Sequence, residues 1–370
     1  MKIVFDARLH LPLISGMSRY IVNLLTHLLA IDAVNEYTVL INPVLPETDA
    51  LFDLRKYPNV TFKSIDLPHM GITNYTRMPA IIRALNPDIY HYPHMDAPII
   101  KGINTVATIH DANISGKIKK FNDTFGLKEL YFKKTLAHTL RKAKAVIFIS
   151  NAAKAEILTQ QKHPDNPEFH MVYSGFDSAF GQIDTPTLTA VRQKFRLEKP
   201  YFLYVGQMRI HKNIQRMVSA FIKTGNTDWE LILVGNNYMN LDFSIYPSNV
   251  RYLSVVSEDE LKGLYAHSKA FVFPSYIEGF GFPVLESLSY GKPVIGTRYG
   301  AIAEIGNKFL IGIDPASEDD ICRKMYDFMQ TTPAPLSLEA CRTYISRFSW
   351  EQCARDVLSI YERIASDPAK

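Results

Sequence analysis

Cysteine is scarce in this chain: its 370 residues hold three, Cys322, Cys341 and Cys353, an odd number at wide spacing. Such a set makes neither a disulfide framework nor a Cys-x-x-Cys metal clamp, so a reducing, cytoplasmic compartment is the expectation. Long apolar runs are missing as well. No stretch approaches the roughly 18 to 20 apolar residues of a membrane span. The apolar start Ile3-Val4-Phe5 is cut off by Asp6 and Arg8, so it reads as a first strand rather than a secretory leader. Net charge is small, since 41 Lys and Arg against 37 Asp and Glu leave only +4, too slight a surplus for a chain that coats nucleic acid. Between Asp6 and Gly16 there is no Gly-x-Gly-x-x-Gly run, which sets aside a nicotinamide-dependent dehydrogenase.

What is present is ordinary globular composition, 47% apolar and 21% charged, with enough length for two domains. Short apolar runs alternate with longer periodic segments, the pattern of parallel sheets flanked by helices, so the fold class is α/β. Strands are expected at 3–6, 37–41, 60–65, 89–92, 106–110 and 145–150, and a second series at 201–205, 231–234, 250–253, 270–273 and 293–295. Ile21, Leu24, Leu25 and Leu28 fall at helical spacing and mark a helix that packs on the first sheet. Ser257 and Glu260 have the spacing of a capping box, with a helix running to about Ala266. The polar, breaker-rich stretch from Gly181 to Thr189 is the expected linker. This gives a first domain over 1–180, a second over 181–348, and a last helix over 349–370, capped by Ser349 with Gln352 reaching back, that could lie on either domain.

The most informative stretch is Glu278-Gly279-Phe280-Gly281-Phe282-Pro283-Val284-Leu285-Glu286, just after an expected buried strand. Two glycines let backbone approach a ligand, and Pro283 suits a first helical position. A helix N-terminus there favours a phosphate or diphosphate. Glu278 and Glu286 are too far apart in sequence to serve as one glycosidase pair, and instead suit two parts of an elongated ligand whose hydroxyls they hold. A second phosphate element runs from Val205 to Asn213, where Gly206 ends a strand and Lys212 and Arg209 can neutralise a departing diphosphate. His110 ends an apolar strand, where side chains of open α/β sheets face the ligand crevice, and Asp111 could orient it or cap a loop. His91 and His94 have a metal-like spacing but no third ligand, so a loop near an acceptor is the preferred reading. No Asp-x-Asp pair stands at a strand end to hold a metal on a diphosphate, so no metal is expected. From Lys117 to Lys144 nine basic residues face only Asp123 and Glu129, interleaved with aromatics, a pattern that suits either an anionic membrane surface or an ordinary solvated helix face. Nucleic acid is the weaker reading, because no recognised binding module accompanies the patch.

Two glutamates enclosing seven residues around a Gly-Phe-Gly loop resemble the donor motif of the retaining glycosyltransferases of GT-B fold, family 4. Other residues fit the same order along nearly the whole chain: Gly16-Met17-Ser18-Arg19-Tyr20, Thr108 to Asp111, Ser150 to Ile157, Asp314-Pro315 and Phe348-Ser349-Trp350. The chain departs from that pattern at Gln207 and His211, where relatives carry an arginine, and Arg209 would substitute from its own position. The resemblance implies two facing Rossmann-like domains with a cleft between them, and it leaves open whether the C-terminal helix crosses back to the first. It implies transfer of a hexosyl group, mannose-type favoured, from a nucleotide diphosphate sugar (GDP-sugar favoured, UDP-sugar the alternative) to a glycan or lipid-linked glycan in surface-polysaccharide synthesis. Catalytic roles fall to His110, Glu278, Lys212 and Arg209, and donor binding to Gly16, Gly206, Lys212, Glu278, Gly279, Phe280, Gly281, Phe282 and Glu286. No metal and no cofactor are implied, and the location is cytoplasmic or peripheral on the inner membrane face. The rivals are a sugar-nucleotide epimerase or hydrolase on the same plan, and a non-enzymatic binder that leaves the two glutamates without purpose.

Overall fold

A computed structural model describes residues 1–11, 16–110, 126–160, 168–331 and 333–366. The chain divides into two compact units, Met1–Gly175 with Phe348–Lys370, and Phe176–Arg347.

The first unit is built on strands β1 (Lys2–Asp6), β2 (Glu36–Ile41), β3 (Val60–Ser64), β4 (Ile89–Tyr92), β5 (Asn104–Ile109), β6 (Ala145–Phe148) and β7 (Glu168–Met171). They pair in parallel in the order β3-β2-β1-β4-β5-β6-β7. Helices α1 (Gly16–Ile31), α2 (Ile72–Leu85), α3 (Gly126–Lys142) and α4 (Asn151–Gln160) make the crossovers. Strands β4, β5 and β6 are buried along their whole length, which is why they read as continuous apolar runs rather than alternating ones. On α1 the periodic residues Ile21, Leu24, Leu25 and Leu28 are all buried. The strand order reverses between β1 and β4, and in open α/β sheets that switch point is where a crevice opens at the carboxyl ends of the strands.

The second unit repeats the plan with β8 (Tyr201–Val205), β9 (Glu230–Val234), β10 (Val250–Leu253), β11 (Ala270–Phe273), β12 (Val294–Thr297) and β13 (Leu310–Ile313), ordered β10-β9-β8-β11-β12-β13 and again parallel. Its helices are α5 (Thr185–Lys194), α6 (Ile214–Lys223), α7 (Glu258–His267), α8 (Phe282–Ser289), α9 (Gly300–Gly306), α10 (Glu318–Thr331) and α11 (Leu338–Ile345). The switch point here lies between β8 and β11. Under one face, Phe202 packs with Trp229 at 4.9 Å and with Phe328 of α10 at 5.7 Å between ring centres.

The last helix, α12 (Trp350–Ser366), belongs to the first unit, packed on α1. Its buried face includes Trp350, Val357, Ile360, Tyr361 and Ile364. The Tyr361 hydroxyl pairs with His91 Nδ1, and the Asn104 amide donates to the Ile364 carbonyl at 3.3 Å. Ser349 accepts from the Gln352 amide at 3.3 Å as expected, but the Gln352 side chain donates to Asp356 instead of reaching back.

The stretch Gly181 to Thr189 is not a linker. The unit boundary falls at Gly175 and Phe176, and Phe180 sits among Phe176, Tyr265 and Tyr290 of the second unit. Asp184-Thr185-Pro186 is a helix start: Asp184 accepts from the Thr187 amide at 2.7 Å and caps α5. Ser257 and Glu260 make both halves of their capping box, at 3.2 and 2.8 Å. Among the described residues no helix is long and apolar enough to cross a membrane.

Candidate functional site

Two loops at the carboxyl ends of β8 and β11 bring the second unit's polar residues together. After β8, Gly206 takes φ +154°, and a Cβ there would stand 3.0 Å from the Tyr204 hydroxyl. Gly235, after β9, lets the neighbouring loop close in, since a Cβ on it would lie 2.1 Å from the Gly206 carbonyl oxygen. The chain then makes a 3-10 turn over Ile210–Lys212 and enters α6 through Asn213, whose φ of 61° is left-handed. Asparagine tolerates that conformation better than most residues. The buried Asn213 amide donates to the carbonyls of Pro274 at 3.2 Å and Pro315 at 2.8 Å, and Arg216 donates to Pro315 at 3.0 Å. The turn carrying Lys212 is thereby tied to the loops that follow β11 and β13.

Lys212 Nζ donates to both oxygens of Glu278, at 2.6 and 2.8 Å, with side chains only 16% and 12% exposed. It lies 5.3 Å from the Phe273 ring centre. An ion pair this poorly hydrated is held by its mutual contacts, and removing either partner strands the other. Beyond Glu278 the chain runs through Gly279 and Phe280 to Gly281, which takes φ +109° as the N-cap of α8. Phe282 is the first helical residue and Pro283 the second, one place later than expected. Phe280 and Phe282 meet edge to face at 5.0 Å. One helical turn on, Glu286 is 2% exposed and accepts the Tyr265 hydroxyl at 2.7 Å.

Arg209 is not brought to this pair by any contact seen here. Its Nε donates to Gln207 at 3.0 Å, and its guanidinium lies 4.6 Å from the Tyr238 ring centre.

Sequence reasoning missed four residues that shape the site. Asn213 carries no motif of its own, and only a left-handed turn before a helix could have flagged it. Tyr265 lies in a helix read for its cap, with nothing in sequence to link it to Glu286. Thr297 donates to the Ser275 carbonyl at 2.6 Å from the end of β12. Tyr204 is fully buried, and its hydroxyl has no hydrogen-bond partner among the described residues. Burial, and then the negative charge of Glu278, push that phenol well above its ordinary range.

In the first unit His110 directly follows β5, buried edge-on to Tyr20 at 4.5 Å. Its Nε2 has no partner among the described residues. Burial, and then the neighbouring His94, lower its pKa to about 3, so it is a neutral imidazole at physiological pH. Gly16 is the exposed first residue of α1. Asp111 and the 117–125 part of the basic stretch lie outside the described residues. His91 engages Tyr361 through Nδ1 and Thr108 through Nε2, the latter at 2.8 Å, so both ring nitrogens have structural partners. Among the described residues no group of three or more His, Cys, Asp or Glu is placed to hold a metal ion.

Comparison with known proteins supplies the family. Residues 14–180 match the model described as Glycosyltransferase Family 4, and residues 189–341 that described as Glycosyl transferases group 1. The O-antigen chain mannosyltransferase B of Escherichia coli is 25% identical over 289 residues, 74% of each chain. The O-antigen chain mannosyltransferase RfbU of Salmonella typhimurium is 24% identical over 283 residues, 73% of this chain and 72% of that one. Among solved structures, sucrose-phosphate synthase from Thermosynechococcus elongatus superposes with a TM-score of 0.77 at 16% identity, covering 99% of each chain. HepE of Anabaena in complex with UDP-glucose gives 0.73 at 17%, covering 98% of this chain and all of that one. The two parallel-sheet Rossmann-like domains are the fold of these GT-B glycosyltransferase structures.

Proposed function

This chain belongs to the family 4 glycosyltransferases, and from that membership we propose that it moves a mannose-type hexosyl group from a nucleotide diphosphate sugar, GDP-linked by preference, to a glycan or lipid-linked glycan acceptor with retention of configuration. The observation that carries the reading is the Lys212–Glu278 pair at the β8/β11 switch point, beside the glycine loop that opens α8. A diphosphate competes with Glu278 for Lys212. As Lys212 turns to the phosphates, Glu278 is released to accept hydrogen bonds from hydroxyls of the transferred sugar. The acceptor oxygen bonds to the anomeric carbon on the face from which the diphosphate leaves, and a leaving-group oxygen takes the acceptor proton. No carboxylate nucleophile is needed. The charge that grows on the diphosphate is met by Lys212 and the amide end of α8, fixed before the reaction starts. Glu286 is assigned to the ribose, and Arg209, Gly16 and His110 keep the roles implied by the resemblance.

Two O-antigen mannosyltransferases among the relatives support mannose and surface-polysaccharide synthesis. The basic stretch 117–144 supports docking to the anionic inner face of a membrane, tested by salt-sensitive sedimentation with anionic liposomes. Thermal melting with GDP, UDP, GDP-mannose and UDP-glucose tests the donor. A nucleotide that binds only the folded chain raises the melting temperature, and GDP-mannose is expected to give the largest shift. Turnover is expected to survive EDTA; loss in chelator restored by manganese or magnesium overturns the metal-free part of the reading.

A further inference from the structure

The first unit carries a second polar cluster, at the carboxyl end of β4 beside its own switch point. His94 Nδ1 pairs with Asp96 Oδ1, and the Asp96 side chain is fully buried. The other Asp96 oxygen accepts the Tyr131 hydroxyl at 3.0 Å, and Tyr131 in turn accepts the Gly71 amide at 2.9 Å. The Tyr92 hydroxyl donates to the His69 carbonyl and accepts the Asn74 amide at 3.4 Å. Asn74 is held by Arg8 at 2.9 Å. Arg8 forms a fully buried, two-pronged pair with Asp6, at 2.8 and 2.7 Å, and Asp6 also accepts the Tyr90 hydroxyl at 2.7 Å.

This framework fixes the ring of His94. Tyr92 and Phe132 stand edge-on to it at 6.4 and 6.3 Å. With Nδ1 committed to the Asp96 carboxylate, Nε2 is the ring nitrogen left for a ligand, and no described residue partners it. Just past the next strand, the buried His110 Nε2 is also without a partner among the described residues. The charges in the cluster point to a neutral ligand. Arg8 is cancelled by Asp6, and Asp96 stands beside His94, so no surplus positive charge is left for a phosphate and a hydroxyl suits Nε2 better.

Building on the transferase reading above, we propose that His94 Nε2 hydrogen-bonds a hydroxyl of the saccharide acceptor, with Asp96 as the positioning residue that holds the ring. Apart from Gly16, donor binding is assigned to the other unit's loops, so the two functions separate kinetically.

The test is steady-state transfer from GDP-mannose and UDP-glucose to octyl glycosides of mannose, glucose, galactose and N-acetylglucosamine, in the wild type and in His94→Asn, His94→Gln and Asp96→Asn. His94→Asn keeps an amide that can meet Asp96 and removes Nε2; His94→Gln carries an amide to the Nε2 position and is expected to keep the acceptor KM closer to wild type, and Asp96→Asn serves if His94→Asn does not fold. The expected result in His94→Asn is an acceptor KM raised roughly tenfold, the size of one lost hydrogen bond to a bound ligand. Donor KM and acceptor-free donor hydrolysis should stay within about twofold of wild type. Asp96→Asn is expected to raise acceptor KM with little change in donor KM. A wild-type acceptor KM in folded His94→Asn overturns the assignment, as does an equal rise in donor and acceptor KM, which marks a purely structural role. If the wild type binds donor but transfers to none of the glycosides, it is the transferase reading that fails.

Discussion

Lys212 and Glu278 hold each other through two short contacts, and that arrangement predicts different consequences for the two glutamates of the loop. In the proposed reaction Glu278 contacts strengthen only as the sugar leaves, so Glu278→Ala is expected to be chiefly a turnover variant. Glu286→Ala is expected to weaken donor binding. It also leaves the Tyr265 hydroxyl without its carboxylate, at a cost of about 1–3 kcal/mol in stability. Donor affinity by calorimetry and turnover on the same samples separate the two, and Tyr265→Phe serves as the control for the stability part. Wild-type affinity and turnover in both variants would remove the assignment. A second residue-scale expectation concerns acid. His91 and His110 are both lowered to about 3, first of all by burial. Each therefore stays neutral in the folded chain while the unfolded chain takes up a proton below about 6.5, the ordinary histidine value. Their contribution is intact above that pH and is lost as pH falls, by about 1.4 kcal/mol per pH unit for each histidine until about pH 3. Urea unfolding at pH 7.5, 6 and 5 measures the slope, and His91→Gln should reduce it by one proton. At this scale Lys212, Glu278 and Glu286 were legible as motif residues after apolar strands, and the structure brings Lys212 and Glu278 together. Tyr204, Tyr265 and Asn213 were not, because their roles come from where burial and a left-handed turn put them.

Among the elements, the glycine turns around the second switch point differ in what they tolerate. Gly235 faces backbone, with the Gly206 carbonyl 2.1 Å from a would-be Cβ, whereas Gly281 meets nothing nearer than a Val284 methyl at 3.6 Å. Gly281→Ala pays only for its positive φ, about 1–2 kcal/mol. Gly235→Ala must in addition push two loops apart, and is expected to be the more destabilised of the pair in chemical denaturation. Equal stabilities would mean the loops part freely. Sequence periodicity found every interior strand, where buried faces leave uninterrupted apolar runs, and two outermost ones, β3 and β10. The two it missed, β7 and β13, are outermost in their sheets. Glu168-Phe169-His170-Met171 is polar enough to pass for a loop, and Leu310-Ile311-Gly312-Ile313 is broken by a glycine. The supposed linker failed for the opposite reason: Asp, Thr and Pro in succession punctuate a helix start as readily as a connection.

For the molecule as a whole, the α/β class and the two-sheet plan followed from the alternation of strand and helix patterns, and the family from the order of short motifs that are weak singly. Placement of the last helix did not follow, because the amphipathic face of α12 is suited to any apolar partner. Its place on α1 is settled by contacts far apart in sequence, such as Tyr361 with His91. The proposed reaction transfers a hexose from a nucleotide diphosphate sugar without a carboxylate nucleophile, by attack on the face the diphosphate leaves. The most direct measurement is the anomeric configuration of the newly transferred sugar, read by NMR on the purified product of a reaction with α-linked GDP-mannose. Same-face attack predicts an α-linked product that forms with the wild type and is strongly reduced with Lys212→Ala. A β-linked product, or undiminished transfer by Lys212→Ala, would contradict it.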